Sequence, residues 1–161
     1  TKLAEANGEK ISVIPAIKQS NDGHRGWAFG KLQTRLGDLR GKKIAVLGLT
    51  YTTNTDTLRR SAAVELCQKL LAADAKVSAF DPAVKNLPKE LGKISLANEI
   101  GSALENADAA VICTEWPQFR QADWPKMVSV MRGKVFVDAN RFLEKELKNI
   151  GGVEHLSVGR A

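Results

Sequence analysis

From Lys42 onward the chain alternates short apolar, β-branched runs with segments of helical period, and this alternation restricts the possible folds more than any other feature. KIAVLGL (43–49) reads as a strand buried on both faces, because it is apolar throughout instead of every second residue. SAAVELCQKLLAADA (61–75) places Val64, Leu66, Cys67, Leu70 and Leu71 on one helical face. KVSAFDP (76–82) is a second strand closed by Pro82. A helix at 98–107, a third strand at 109–114 and a helix at 124–132 follow. KVFVDA (134–139) is a fourth strand, FLEKELKNIGG a helix with a glycine stop, and VEHLSVGR a last short strand. Successive strand and helix imply βαβ crossovers. The expected architecture is an α/β, Rossmann-like doubly wound parallel sheet, preceded by an N-terminal connecting helix segment.

Residues 1–40 differ from the rest. ISVIPAIKQSNDG is an apolar patch followed by turn formers, and Gly23 and Gly26 bracket His24 and Arg25. Trp27, Phe29, Leu32 and Leu36 then read as a modest amphipathic helix interrupted by Gly30 and stopped by Gly37 and Gly41. The expected boundary is 1–40 for a connecting section that seeks a partner surface and 41–161 for the domain.

At 161 residues, with 43% hydrophobic and 26% charged residues, the chain can bury a core without disulfides or metal. Cys67 and Cys113 both lie in apolar runs and lack zinc-ligand spacing, which favours buried thiols in a reduced, cytoplasmic protein. The sequence shows no membrane-length apolar stretch and no secretion leader. It opens on Thr1-Lys2-Leu3, without an initiator methionine, which suggests a piece of something longer. Of the formal charge of +6, residues 1–42 carry a net +4, with eight bases dispersed among four acids. Dispersed bases without interleaved aromatics argue against a nucleic-acid partner.

In open parallel sheets ligands bind beyond the carboxyl ends of the strands. The loop after the first strand, LTYTTNTDTLRRS, combines hydroxyls with Arg59 and Arg60 beside a helix start. Two readings stand open: the loop holds an anionic ligand such as a nucleotide, or Asp56, Thr57 and Ser61 only cap the helix beside solvated arginines. A dinucleotide-holding turn would read G-x-G-x-x-G, and only Gly48 is present. Asp81-Pro82 either holds a ribose or ends its strand. Trp116 and Trp124 either frame a base or sugar or pack the loop. Asp138, Asn140 and Arg141 end the fourth strand at the same rim. No nucleophile pairs with a histidine; His24 and His155 are far apart in unremarkable contexts. The residues alone indicate a binding domain without its own chemistry.

The run GDLRGKKIAVLGLTYTTNTDTLRRSAAVELCQKLLAADAKVSAFDP resembles the opening of the C-terminal domain of the UDP-glucose and GDP-mannose dehydrogenase family. VICTEWPQFRQADW, KVFVDANRFL and HLSVGR resemble its later motifs, so the likeness spans about residues 36–161 in order. Residues of about 4–35 resemble, more loosely, the end of the family's central helix. The resemblance implies oxidation of a sugar C6 alcohol to a carboxylate in two NAD-dependent steps through a cysteine-bound thiohemiacetal. It also implies an N-terminal domain holding NAD, a C-terminal domain binding a UDP-sugar or other nucleotide-sugar, and a homodimer formed through the central helix.

By the same resemblance, Tyr51 and Thr52 stand at the family's Phe-Lys donor contact. Asn140 and Arg141 stand at its strand-end arginine, and Arg59 at the arginine that reaches NAD. Asn54, Thr55, Asp56, Ser61 and Asp138 match. Thr52 replaces a lysine, Thr53 a proline, Thr57 an acid, Arg60 a glutamate and Ala62 a proline. Neither the NAD fingerprint nor the catalytic-cysteine segment is in the chain, and Cys67 and Cys113 do not match it. The chain is expected to bind nucleotide without turning over sugar. The competing expectation is a divergent, non-catalytic module for assembly or regulation, favoured by Thr52 and Arg60.

Overall fold

The computed structural model describes residues 26–159; the ISVIPAIKQSNDG patch, His24, Arg25 and Arg160 lie outside the described residues. Six parallel strands form one sheet: β1 Lys43–Leu47, β2 Lys76–Phe80, β3 Ser95–Leu96, β4 Ala109–Ile112, β5 Val135–Asp138 and β6 Glu154–Leu156. Their order is β3-β2-β1-β4-β5-β6. The helices are α1 (26–36), α2 Ala62–Ala72, α3 Ile100–Leu104, α4 Trp124–Ser129 and α5 Glu144–Leu147.

Alternation along each strand divides the core into two layers. Ile44 and Val46 face one cluster with Leu32 of α1 and Leu66, Cys67 and Leu70 of α2. Ala45 and Leu47 face the other, with Ala103 and Leu104 of α3, Trp124 and Val128 of α4, and Leu143 and Leu147 of α5. Helices thus cover both faces, as the continuous apolar strands require. Each fully buried leucine contributes about 2–3 kcal/mol.

Three local differences from the sequence reading have physical causes. Gly30 does not interrupt α1, which is helical from 26 to 36. Leu32 is 0% exposed and Trp27, Phe29 and Leu36 pack on the same layer, and that burial outweighs the roughly 1 kcal/mol helix penalty of a glycine. The helix therefore has a partner in this chain's own sheet. It stops at Gly37 (φ +70°), whose N–H bonds the Gln33 carbonyl. The two-residue edge strand β3 is too short to show a period. The third strand ends at Ile112 instead of 114, because Cys113 and Thr114 turn back onto β1 through N–H bonds to the Leu47 carbonyl.

Candidate functional site

The order reverses at β1, so the β1 and β4 ends flank the crevice where ligands of such sheets sit. Gly48 makes the crevice tight. Its φ is +86°, and a Cβ there would come within 2.5 Å of the Thr114 Cβ and backbone N. Thr114 Oγ1 donates to the Thr50 carbonyl at 2.6 Å, joining the two strand ends.

Asp81, at the end of β2, anchors the β1 loop. Asp81 is 3% exposed. Oδ2 accepts from Leu49 N (2.7 Å), Thr50 N (3.0 Å), Thr50 Oγ1 (3.0 Å) and Trp116 Nε1 (3.1 Å), while Oδ1 accepts from Ala83 N (2.8 Å). Of the two readings for this residue, strand termination holds, since β2 ends at Phe80 just before Asp81-Pro82, and the carboxylate does more than either reading foresaw by tying three strand ends together. Trp116 is buried against it, and Trp124 is buried with Nε1 donating to the Phe119 carbonyl at 2.8 Å, so both indoles pack the rim.

Downstream of this anchor the loop side chains turn outward. Tyr51 N donates to the Thr57 carbonyl and Thr57 N to Thr55 Oγ1, closing the loop on itself. Ser61 Oγ donates to the Leu49 carbonyl at 2.6 Å and accepts from Ala63 N at 3.1 Å, capping α2. Tyr51 is 64% exposed. With Thr57, Arg59 and Arg60 it lines a hollow of about 340 Å³. Thr52 is exposed beside Tyr51 but is not part of that lining.

The second rim lies at the end of β5. Asp138 is 1% exposed; Oδ1 accepts from Phe142 N (3.0 Å), and Oδ2 from Leu143 N (2.8 Å) and lies 3.0 Å from His155 Nε2. Burial alone would raise the Asp138 pKa, but the hydrogen bonds from His155, Leu143 and Phe142 outweigh it and hold the carboxyl below its ordinary value of 3.8. The turn so pinned presents the exposed Asn140, whose Nδ2 donates to Glu115 Oε1 at 2.7 Å. It also presents Arg141 at φ +60°, whose Nη2 donates to the Val158 carbonyl at 3.3 Å. The structure therefore brings Tyr51 and Arg59 together at one rim and Asn140 and Arg141 at the other. No hydrogen bond or ion pair among the described residues links the two groups.

Sequence reasoning missed the His155 to Asp138 pair, because it depends on the alignment of Phe136 with His155 across β5 and β6. It also could not foresee a hollow of about 480 Å³ between α3 and α4, lined by Gly101, Met127 and Val130 among others. That hollow is larger than the one at Tyr51 but includes none of the residues of the β1 and β5 loops and gathers no arginines. The thiols offer no nucleophile at neutral pH: burial pushes Cys67 up to about 12, and burial and then the neighbouring Cys67 push Cys113 up as well. Among the described residues no group of three or more histidine, cysteine and acidic side chains is placed to hold a metal, and no helix is long and apolar enough to cross a membrane.

A parallel sheet with this strand order and polar loops at its carboxyl edge defines the class: a Rossmann-like binding domain. The family model of the UDP-glucose/GDP-mannose dehydrogenase family, UDP binding domain, matches residues 45–145, and the chain belongs to that family. UDP-glucose 6-dehydrogenase of Rhizobium meliloti (strain 1021) is 35% identical over 162 residues, covering 99% of this chain and 37% of the relative. The enzyme of the same name from Rickettsia felis is 33% identical, covering 98% of this chain and 36% of the relative. The chain thus spans just over a third of the length of these curated relatives. Among solved structures, a UDP-glucose dehydrogenase from Pyrobaculum islandicum superposes with TM-score 0.74 at 32% identity, covering 85% of this chain and 31% of that one. UDP-D-ManNAc dehydrogenase from Pyrococcus horikoshii shares the fold, with TM-score 0.78 at 24% identity over 98% of this chain and 36% of that one.

Proposed function

We propose that the carboxyl edge of this sheet binds the nucleotide of a UDP-sugar, as the donor-binding part of an NAD-dependent UDP-glucose 6-dehydrogenase that oxidises the sugar C6 alcohol to a carboxylate. The observation that carries this reading is the hollow at the end of β1, which the exposed Tyr51 lines within the residues the family model matches. Tyr51 offers a face for a flat base or sugar, Thr52 a hydroxyl beside it, and Asn140 and Arg141 donors from the opposite rim. The names of the relatives support the sugar and the reaction.

This sheet's own crevice does not fit NAD. The β1 turn has one glycine, and the carboxylate at the end of β2, the position that holds a ribose in dinucleotide-binding folds, is spent on Leu49, Thr50, Ala83 and Trp116. NAD then belongs to a part of the enzyme beyond this chain, and Arg59 is the residue here that would reach it. The thiol for covalent chemistry must likewise come from elsewhere, since both thiols here are held protonated at neutral pH. We place the parent's dimer contact on residues 1–40, of which 1–25 lie outside the described residues.

Calorimetric titration of the 161-residue chain with UDP, UDP-glucose and GDP tests the reading. Saturable binding of UDP and UDP-glucose, without NADH formation when NAD is added, is the expected result. No binding of any of the three up to millimolar concentration would remove the ligand and leave the fold. In the full-length enzyme, Arg59→Ala should lower the NAD-dependent rate more than donor affinity, and an equal loss of donor binding would contradict the role given to Arg59.

A further inference from the structure

We propose that Arg60 is a second cation that makes the hollow under Tyr51 a site for a doubly charged phosphate or diphosphate group carried by a flat ring. This rests on the nucleotide reading only for the identity of the ring. Arg59 and Arg60 both line the hollow with Tyr51 and Thr57, and both are exposed. Among the described residues neither arginine side chain makes an ion pair or hydrogen bond. The one acid of the loop, Asp56, makes no ion pair with either and lines the adjoining hollow with Leu58 and Lys85. Two adjacent arginines without an ion-pair partner among the described residues therefore border one open space, together with a hydroxyl residue, Thr57, and the exposed aromatic Tyr51. That arrangement suits a dianion: two planar forks supply charge-assisted bonds to phosphoryl oxygens, and the ring supplies a stacking face.

The backbone supports a role for the side chain itself. Arg60 has φ +60°, a conformation that glycine or asparagine adopts more readily than arginine, so the turn gains nothing from arginine here. Glycine at 60 would relax the turn and remove the cation. This makes Arg60→Gly the informative variant, because a loss of ligand affinity would occur without a loss of stability.

Wild type, Arg60→Gly, Arg60→Lys and Arg59→Ala are titrated by calorimetry with inorganic pyrophosphate, UDP, NAD and uridine, and thermal denaturation is followed for each. The expected result is a loss of about tenfold or more in pyrophosphate affinity for Arg60→Gly with an unchanged or raised Tm, and substantial recovery in Arg60→Lys. UDP or NAD losing affinity in parallel names the source of the phosphate as nucleoside diphosphate or dinucleotide; uridine should not respond. Affinities within twofold of wild type for pyrophosphate, UDP and NAD in Arg60→Gly would overturn the inference. If UDP binding is then weakened by Asn140→Ala, the nucleotide reading survives alone. If pyrophosphate responds to Arg60 but UDP and UDP-glucose bind no better than pyrophosphate, the anion site survives and the nucleotide reading falls.

Discussion

Asp81 and Asp138 are both buried carboxylates at the ends of parallel strands, and each holds a loop of the candidate site, yet they do so with different partners. Asp81 gathers three backbone N–H groups, a hydroxyl and an indole, donors that do not titrate near neutral pH. Asp138 gathers two backbone N–H groups and the imidazole of His155. The first joins β1, β2 and the segment after β4 at the centre of the sheet; the second pins a single turn near its edge. A central anchor with five donors should be a condition of folding, whereas an edge anchor with a histidine should tune local order.

The largest effect that tests this contrast is expected from Asp81→Ala, which leaves five buried donors without an acceptor and should cost at least about 4 kcal/mol. Chemical denaturation should show the variant mostly unfolded; a cooperative transition near the wild-type midpoint would remove the distinction between the anchors. Asp138→Asn should cost about 2 kcal/mol, since an amide still accepts one bond. Its pH signature is more specific. The folded carboxyl sits below 3.8, so folded protein holds this proton less readily than unfolded protein does, and the stabilisation is present above about pH 4 and lost as pH falls through the folded value. The acid limb of the stability curve should therefore be shallower in Asp138→Asn than in wild type.

A smaller effect, about 1 kcal/mol, is expected from His155→Gln. Hydrogen exchange should then quicken at the Phe142 and Leu143 amides while Leu49 and Thr50 keep their protection, and equal change at both rims would mean the anchors are not independent. The smallest effect should come from the thiols: native protein at pH 8 should react with iodoacetamide far more slowly than unfolded protein, because burial keeps both thiols protonated.

Residue pattern carried the fold well because strands buried on both faces must read as short apolar runs, and KIAVLGL, KVSAF and KVFVD do so. It carried the outward-facing part of the site for a related reason. A polar loop bearing Tyr51, Arg59 and Arg60 beside a helix start can be read locally. Neither anchor could be read this way. Asp81 meets Trp116 across 35 residues and Asp138 meets His155 across 17, and both meetings depend on which strands become neighbours and in what register. Gly30 reads locally as a break in the helix because local propensity does not include the burial of Leu32 that overrides it.

The central claim is that the carboxyl edge of this sheet is a nucleotide site built from two separately anchored rims. Amide chemical-shift mapping of the 161-residue chain during titration with UDP-glucose tests it most directly. Saturable shifts are expected at Tyr51 to Arg60 and at Asn140 and Arg141, with the Gly101 and Met127 hollow unmoved. No shifts up to millimolar ligand, or shifts confined to Gly101, Met127 and Val130, would contradict it.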